Sequence, residues 1–332
     1  MNPATALVIT SINPPNRAMQ MFAEGAQTRG IRFLVIGDTK SPADFELQGC
    51  EFHSVERQLK SGLSFAPKCP TRHYARKNIG YLLAVNSGAE IILDTDDDNF
   101  PRDGFWDERT ETVEASLFTQ RGWMNAYKYF SDSLIWPRGL PLDTIHHPLP
   151  NWESLPRQNV RCPIQQGLAD ENPDVDAIYR LLLPLPQNFR SDRTLALSGH
   201  SWCPFNSQNT TWFKPAFPLL YLPAYCSFRM TDIWRSFVAQ RIARENDWSV
   251  LFHRPTVWQE RNEHNLMRDF ADEVSGYLTN DKIKQTLDAL KLASGEAAIP
   301  ENMRICYRAL VEMAAVGAGE LELLDLWLAD LT

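Results

Sequence analysis

An α/β fold with a mainly parallel sheet is what this sequence predicts, and three observations predict it. Short runs of branched and aromatic apolar residues at 6–10, 32–36 and 90–94 alternate with segments of helical period. Each run ends in polar or acidic residues, the pattern of buried parallel strands whose carboxyl ends face a ligand. The chain, 332 residues with 44% hydrophobic content, is long enough to cover both faces of such a sheet.

The first run is followed by Ser11-Ile12-Asn13-Pro14-Pro15, a turn, and residues 16–29 read as a helix closed by Gly30. A second strand, 32–38, ends on Asp38, and a shorter extended piece lies near 52–54. Residues 71–87 are expected to form a helix closed by Gly88, with Arg72, Arg76 and Gly80 spaced by four on one face and Ala75, Ile79, Leu82 and Leu83 on the apolar side. A glycine inside a helix costs about 1 kcal/mol relative to alanine, so Gly80 implies a close approach of backbone or ligand. Strands alternating with helices require right-handed crossovers.

The third strand carries the densest chemistry. Ile91-Ile92-Leu93 runs directly into Asp94, Asp96, Asp97 and Asp98, four carboxylates in five positions. Like charges this close repel, so something must neutralise them, and a divalent cation with oxygen ligands is the most economical candidate. An EF-hand is excluded, because Asn99 stands where the loop needs glycine and Phe105 where it needs glutamate. The basic row of the preceding helix would suit a diphosphate, with arginines on one side and metal on the other.

Residues 101–160, rich in tryptophan and proline, read as irregular loops with one short strand near 123–129. An acidic loop contains Asp176, and Cys203-Pro204-Phe205-Asn206-Ser207-Gln208-Asn209 presents a dense set of amides and hydroxyls. Thr231 is expected to cap a helix carrying Asp232, Trp234 and Arg235. A short strand should end at 252–255. Beyond about 280 the periodicity is helical throughout, dividing the chain into 1–278 and a helical extension, 279–332.

Bulk properties narrow the function. A net charge of -8 argues against nucleic acid as partner. The six cysteines are scattered without a C-x-x-C pair, and read as reduced thiols. No segment reaches the ~18 apolar residues of a membrane span, so a cytoplasmic location is expected, with peripheral membrane association left open.

Six motifs in order resemble the STELLO family of plant Golgi glycosyltransferases and their relatives: Val8-Ile9-Thr10-Ser11-Ile12-Asn13-Pro14-Pro15, Arg76-Lys77-Asn78-Ile79-Gly80-Tyr81, Asp94-Thr95-Asp96-Asp97, Pro173-Asp174-Val175-Asp176-Ala177, Cys203 to Thr210, and Pro255-Thr256-Val257. More distantly the chain is similar to plant reversibly glycosylated polypeptides, which include UDP-arabinopyranose mutases. It departs from the STELLO pattern at Asp98, where that pattern has a basic residue, and at Trp258, where it has histidine.

The resemblance implies a GT-A type, Rossmann-like glycosyltransferase domain over 1–278, using a nucleotide-sugar donor (a UDP-sugar by default) with Mn2+ or Mg2+, and a glycan or small-molecule acceptor. It implies Asp96 and Asp98 as metal ligands, with His253 as a third, and donor contacts from Thr10, Ser11, Asp38, Arg72, Arg76, Lys77, Asp94, Asp97, Asn206 and Asn209. An inverting transfer needs a base to deprotonate the acceptor hydroxyl, with Asp232 first and Asp176 second. Trp202, Trp212 and Trp234 are candidates for stacking on a sugar ring. A nucleotide-sugar mutase and a non-catalytic binding or scaffold protein are the alternatives.

Overall fold

The computed structural model describes residues 4–260 and 265–331. Its centre is a sheet of eleven strands. The first three form a parallel unit: β1 (Thr5–Thr10) pairs with β2 (Arg32–Ile36), which pairs with β3 (Glu51–His53). Helix α1 (Arg17–Gln27) crosses from β1 to β2, its N-terminus capped by Asn16, whose side chain accepts from the Met19 amide. After the short α2 (Val55–Leu59), helix α3 (Lys77–Asn86) leads into β4 (Ile91–Thr95), which lies parallel to β1 on its other side. The order β3-β2-β1-β4 is thus the parallel, helix-connected sheet that the alternating periodicity predicts.

Later strands extend the sheet in both senses. They are β5 (Asn99–Pro101), β6 (Thr112–Phe118), the two-residue β7 (Gly122–Trp123), β8 (Arg157–Arg161), β9 (Ile164–Asp170), β10 (Thr194–Leu197), β11 (Ser201–Trp202), β12 (Asn209–Phe213) and β13 (Val250–Gln259). From β4 the order continues β12-β9-β13-β10-β6-β8, with β5 on β13; β7 and β11 pair separately. Helix α4 (Ala177–Leu182) follows β9, α5 (Thr231–Arg244) precedes β13, and α6 (Leu266–Ala289), α7 (Ile299–Glu312) and α8 (Glu320–Asp330) close the chain.

Strand alternation sorts the side chains. Leu7, Ile9, Phe33, Val35, Ile91 and Leu93 point to the α1 face and pack on Met19 and Phe22. Ala6, Val8, Leu34, Ile36 and Ile92 point to the opposite face and join a larger core with Ile79 and Leu82 of α3, Trp234 and Phe237 of α5, and Leu324 and Trp327 of α8. The residue two beyond Ile92 on that second face is Asp94, which is therefore buried with the core.

Several local expectations are revised. The helix before β4 starts later: Tyr74–Arg76 form a 3-10 turn, α3 begins at Lys77, and Arg72 lies outside the helix with φ +55°. Residues 101–160 contain two true strands, β6 and β8; β8 is an exposed edge whose Arg-Gln-Asn sequence carries no apolar alternation. The strand near 123–129 is only the β7 pair, followed by a 3-10 turn at Ala126–Tyr129. Thr231 is the first residue of α5, with Met230 at the cap position. The last strand does not stop at Pro255: β13 continues to Gln259, and a register shift between His253 and Val257 accommodates the missing N–H. Residue 279 lies within α6, which runs unbroken through it. Trp234 of α5 donates its indole N–H to Asn280 of α6 (2.8 Å) and Trp123 donates to Asp281 (2.8 Å), while Arg229 pairs with Glu273 (2.8 Å), tying α6 to the sheet domain on both sides of that point. Among the described residues no helix is long and apolar enough to cross a membrane.

Gly80 lets α3 lie directly on the sheet. A Cβ there would stand 2.6 Å from Val8 Cγ1 and 2.7 Å from Ile36 Cγ1. The close approach implied by a helix-interior glycine is therefore made by the backbone of α3 to β1 and β2. Gly80→Ala is expected to destabilise the chain by about 1–3 kcal/mol despite alanine's better helix propensity, seen as a lowered midpoint in urea unfolding.

Candidate active site

A cavity of about 450 Å³ opens beyond the carboxyl ends of β1, β2 and β4. Thr10, Ser11 and Asp38 come from the first two strand ends, and Asp96, Asp97 and Asp98 from the turn after β4. Arg72, Tyr74, Arg138, Phe228, Arg229 and Asp232 form much of the opposite wall. The topology brings these together because parallel strands end at one edge, and the 3-10 turn before α3 and the start of α5 fold over that edge.

The electrostatic problem posed by the four aspartates is solved in two parts. Asp94 is fully buried and meets two cations: Lys77 Nζ at 2.6 Å and Arg235 Nη1 at 3.3 Å. Lys77 is equally buried and also reaches Asp96 Oδ1 (3.2 Å) and the Thr95 carbonyl (2.5 Å). Burial alone would lower the Lys77 pKa, but Asp94 and Asp96 outweigh it and the pKa is raised. Arg235 lies over the Trp212 ring at 5.0 Å. Lys77, read as a donor contact, is thus an internal counter-ion, and Asp94 is the group it neutralises.

The other three carboxylates reach the cavity. Asp97 Oδ2 accepts from Ser11 Oγ (2.5 Å) and Asn13 Nδ2 (3.0 Å), and its carbonyl accepts from Asn16 Nδ2 (2.8 Å). Asp98 Oδ1 accepts from Gln259 Nε2 (2.9 Å). Asp96 Oδ1 accepts from Tyr74 (3.2 Å). Desolvation pushes the Asp96 pKa up to about 7, with Lys77 pulling it down and Asp98 and Asp94 adding to the rise. Asp96 thus sits where one more positive charge would be stabilised.

Those oxygens fit a hard divalent cation. The donor set is carboxylate only, which suits Mg2+ or Mn2+, and Mg2+ commonly takes one or two carboxylates and fills its remaining positions with water and phosphate. Among the described residues no group of three or more His, Cys, Asp or Glu is arranged to hold a metal alone. Asp96 and Asp98 would supply the protein's share.

Asp232, at the start of α5, lies across the cavity. Both its oxygens accept from Arg138 Nη2 (3.1 and 3.0 Å), and Oδ2 also faces the amide and hydroxyl of Ser207 (3.3 and 3.4 Å). Arg138 is held in turn by Asp174 (2.8 Å). Tyr74 Oη also lies 2.8 Å from Ser207 Oγ, and its one O–H proton serves either Ser207 or Asp96, so polar groups at hydrogen-bonding distance run from Asp96 through Tyr74 and Ser207 to Asp232.

Asp38 stays at the rim, accepting from the amides of His73 (3.0 Å) and Thr39 (2.6 Å). Arg76 borders the cavity, but its guanidinium is committed to Gln58 Oε1 and the Cys69 carbonyl (2.9 Å). The remaining sequence candidates lie away from the cavity. Asp176 caps α4 through the Tyr179 amide (2.8 Å) and accepts from Trp136 Nε1 (2.6 Å), and burial raises its pKa to about 6. Asn206 accepts from the Gln208 amide (3.0 Å), and Asn209 spans from β12 to the Leu168 carbonyl (2.9 Å) and Thr256 (2.9 Å). His253 lies in β13 against Gly167, its Nδ1 on the Arg254 carbonyl (2.9 Å). Trp202, Trp212 and Trp234 are core residues. Sequence reasoning missed Asn13, Tyr74, Arg138, Phe228 and Gln259. Only Asn13, within the Asn-Pro-Pro turn at a strand end, carried a local signal.

Two outcomes follow from the charges. Lys77→Met leaves Asp94 with Arg235 alone and should cost about 3–5 kcal/mol in urea unfolding. Asp96 binds its proton up to about pH 7 in the folded chain but releases it near ~4 when unfolded. Its stabilising contribution is therefore complete below ~4 and is lost as pH rises through about 7. In chelator-treated protein, the stability of Asp96→Asn relative to the parent should rise across that window and level off above it.

The sequence has relatives. Residues 229–332 match the family profile described as STELLO glycosyltransferases. Over 267 residues the chain is 31% identical to the Arabidopsis thaliana protein named "Probable glycosyltransferase STELLO2", covering 74% of this chain and 34% of that one. Over 251 residues it is 30% identical to "Probable glycosyltransferase STELLO1" from the same plant, covering 69% and 32%. The chain spans about a third of the length of these relatives (34% and 32%). A solved structure described as "Crystal Structure of a Mycobacterial Protein" superposes with a TM-score of 0.41 at 10% identity, covering 84% of this chain and 74% of that one.

Proposed function

This chain belongs to the STELLO family, and from that premise we propose that it is a metal-dependent glycosyltransferase, moving a sugar from a nucleotide-sugar to an acceptor hydroxyl with inversion. The observation that carries the reading is Asp96: a carboxylate with its pKa pushed up to about 7, beside Asp97 and Asp98, in a cavity at the strand ends that also holds Lys40, Arg72 and Arg229. Carboxylates on one side and guanidinium groups on the other suit a diphosphate bridged by a divalent cation.

In this reading Asp96 and Asp98 would hold Mn2+ or Mg2+, which when bound would supply Lewis-acid stabilisation to the departing nucleoside diphosphate. Ser11 and Asn13 fix Asp97, so the turn after β4 keeps its shape when a ligand enters. Asp38 and Thr10 lie where a ribose or base would approach the ends of β1 and β2. Arg72 faces the phosphates, while Arg229 lines the cavity with its guanidinium held by Glu273 (2.8 Å). Asp232 takes the acceptor proton, and Arg138 and Ser207 hold its carboxylate in place.

Incubating the protein with Mn2+ and a panel of nucleotide-sugars tests the reading. Slow release of nucleoside diphosphate, lost with chelator, is expected; a new sugar isomer without release would instead identify a mutase. In calorimetry, Mn2+-dependent binding of UDP should fall at least about tenfold in Asp96→Ala and Asp98→Ala. Asp232→Asn should lower turnover by about 10²–10⁴ while leaving nucleotide binding intact. If no nucleotide binds with Mn2+ and neither alanine variant differs from the parent, the enzyme reading is wrong.

A further inference from the structure

A second cavity, of about 430 Å³, lies beside the first and is lined by Arg102, Glu171, Asn172, Trp258, Gln259 and Glu260. Gln259 lines both, and its Nε2 donates to Asp98 Oδ1, so the amide of one side chain separates the trough from the acidic centre. Gln259 is 5% exposed, and among the described residues its Oε1 has no hydrogen-bond partner. A buried acceptor oxygen left without a donor costs free energy, so Gln259 gains if its amide turns to meet a ligand hydroxyl.

The rest of the trough is built to hold a flat, polar ligand. Trp258 stacks on Phe100 with ring centroids 4.2 Å apart and planes at 14°, which fixes the orientation of its indole. Asn172 is immobilised by donating to the Gln259 carbonyl (2.8 Å) and accepting from Gln208 Nε2 (3.2 Å). Glu171 takes the left-handed backbone conformation, φ +69°, which is strained for a residue with a branched-off side chain, and is pinned there by paired backbone bonds to Gln187 (2.8 and 3.0 Å). The charges disfavour an anion: Arg102 is already paired with Asp170 (2.9 Å), and Glu171 and Glu260 add two carboxylates.

We propose that this trough is the acceptor subsite and that it takes a neutral saccharide, one ring lying on Trp258 and its hydroxyls meeting Glu171, Asn172 and Gln259. A pyranose offers an aromatic ring its C–H face and offers carboxylate and amide groups its rim of hydroxyls. The position next to Asp98 sets the neighbouring acceptor hydroxyl at the mouth of the donor cavity. The acceptor role rests on the glycosyltransferase reading, whereas saccharide binding at Trp258 does not.

Ligand-observed saturation-transfer NMR and calorimetry on the full chain test it, using neutral gluco-, manno-, xylo- and galacto-tetrasaccharides and a tetragalacturonate as the acidic counterpart. At least one neutral member should bind, with affinity lowered about tenfold or more in Trp258→Ala and largely restored in Trp258→Phe. Mn2+-dependent UDP binding by Trp258→Ala, unchanged from the parent, reports that the variant is folded. Absence of binding by every neutral member, unchanged binding in Trp258→Ala, or preference for the acidic oligosaccharide overturns the proposal. Saccharide binding through Trp258 in a protein that binds no nucleotide would retain the site and overturn its acceptor role; nucleotide binding without saccharide binding would do the reverse.

Discussion

The buried ion cluster of Asp94, Lys77 and Arg235 is the constraint on which the rest of the site depends. A carboxylate that strand alternation drives into an apolar core must be matched by cations there, and each of the two that match it fixes an element: Lys77 is the first residue of α3, and Arg235 lies in the second turn of α5. The cluster therefore sets where the helix before β4 begins and draws α5 over the carboxyl edge of the sheet. With α5 come Asp232 and the wall that makes the strand ends a cavity. Removing one partner is costly because the others are left charged in a low-dielectric surrounding.

That arrangement also explains why the acidic run is not uniform in role. Asp94 is neutralised inside the protein, Asp97 is spent on Ser11 and Asn13, and Asp96 and Asp98 remain turned to the cavity. Burial raises the Asp96 pKa, and Lys77, shared with Asp94, offsets that rise only in part, which leaves Asp96 short of positive charge. A structural charge balance and a ligand-binding charge deficit thus come from the same lysine. Gly80, three residues further along α3, lets the helix sit low enough on β1 and β2 for Lys77 to reach β4.

The two cavities meet at Gln259, near the end of a strand that sequence reading would have stopped at Pro255. The register shift after His253 carries β13 past the proline, and only this continuation sets Trp258 against Phe100 and Gln259 against Asp98. A local interruption of pairing thereby positions the boundary between the strand-end cavity and its neighbouring trough.

Much of this was legible before folding was considered. Apolar runs ending in acids located β1, β2 and β4 and put Ser11, Asp38 and the aspartates at one edge, because burial on both faces leaves a parallel strand no polar positions except its ends. Gly80 announced a close contact, and the C-terminal periodicity its helices. What the sequence could not assign was the use of each polar group. Arg76 and Lys77 look alike as a basic pair, yet one braces a loop through Gln58 and the other balances Asp94. Asp176 and Asp232 each stand at the start of a helix, and tertiary packing buries the first beneath Trp136 and exposes the second to the cavity. Local sequence determines which face of an element a residue occupies; which partner meets it there depends on residues far away in the chain, such as Arg138, Arg235 and Gln259, that only the folded structure brings within bonding distance.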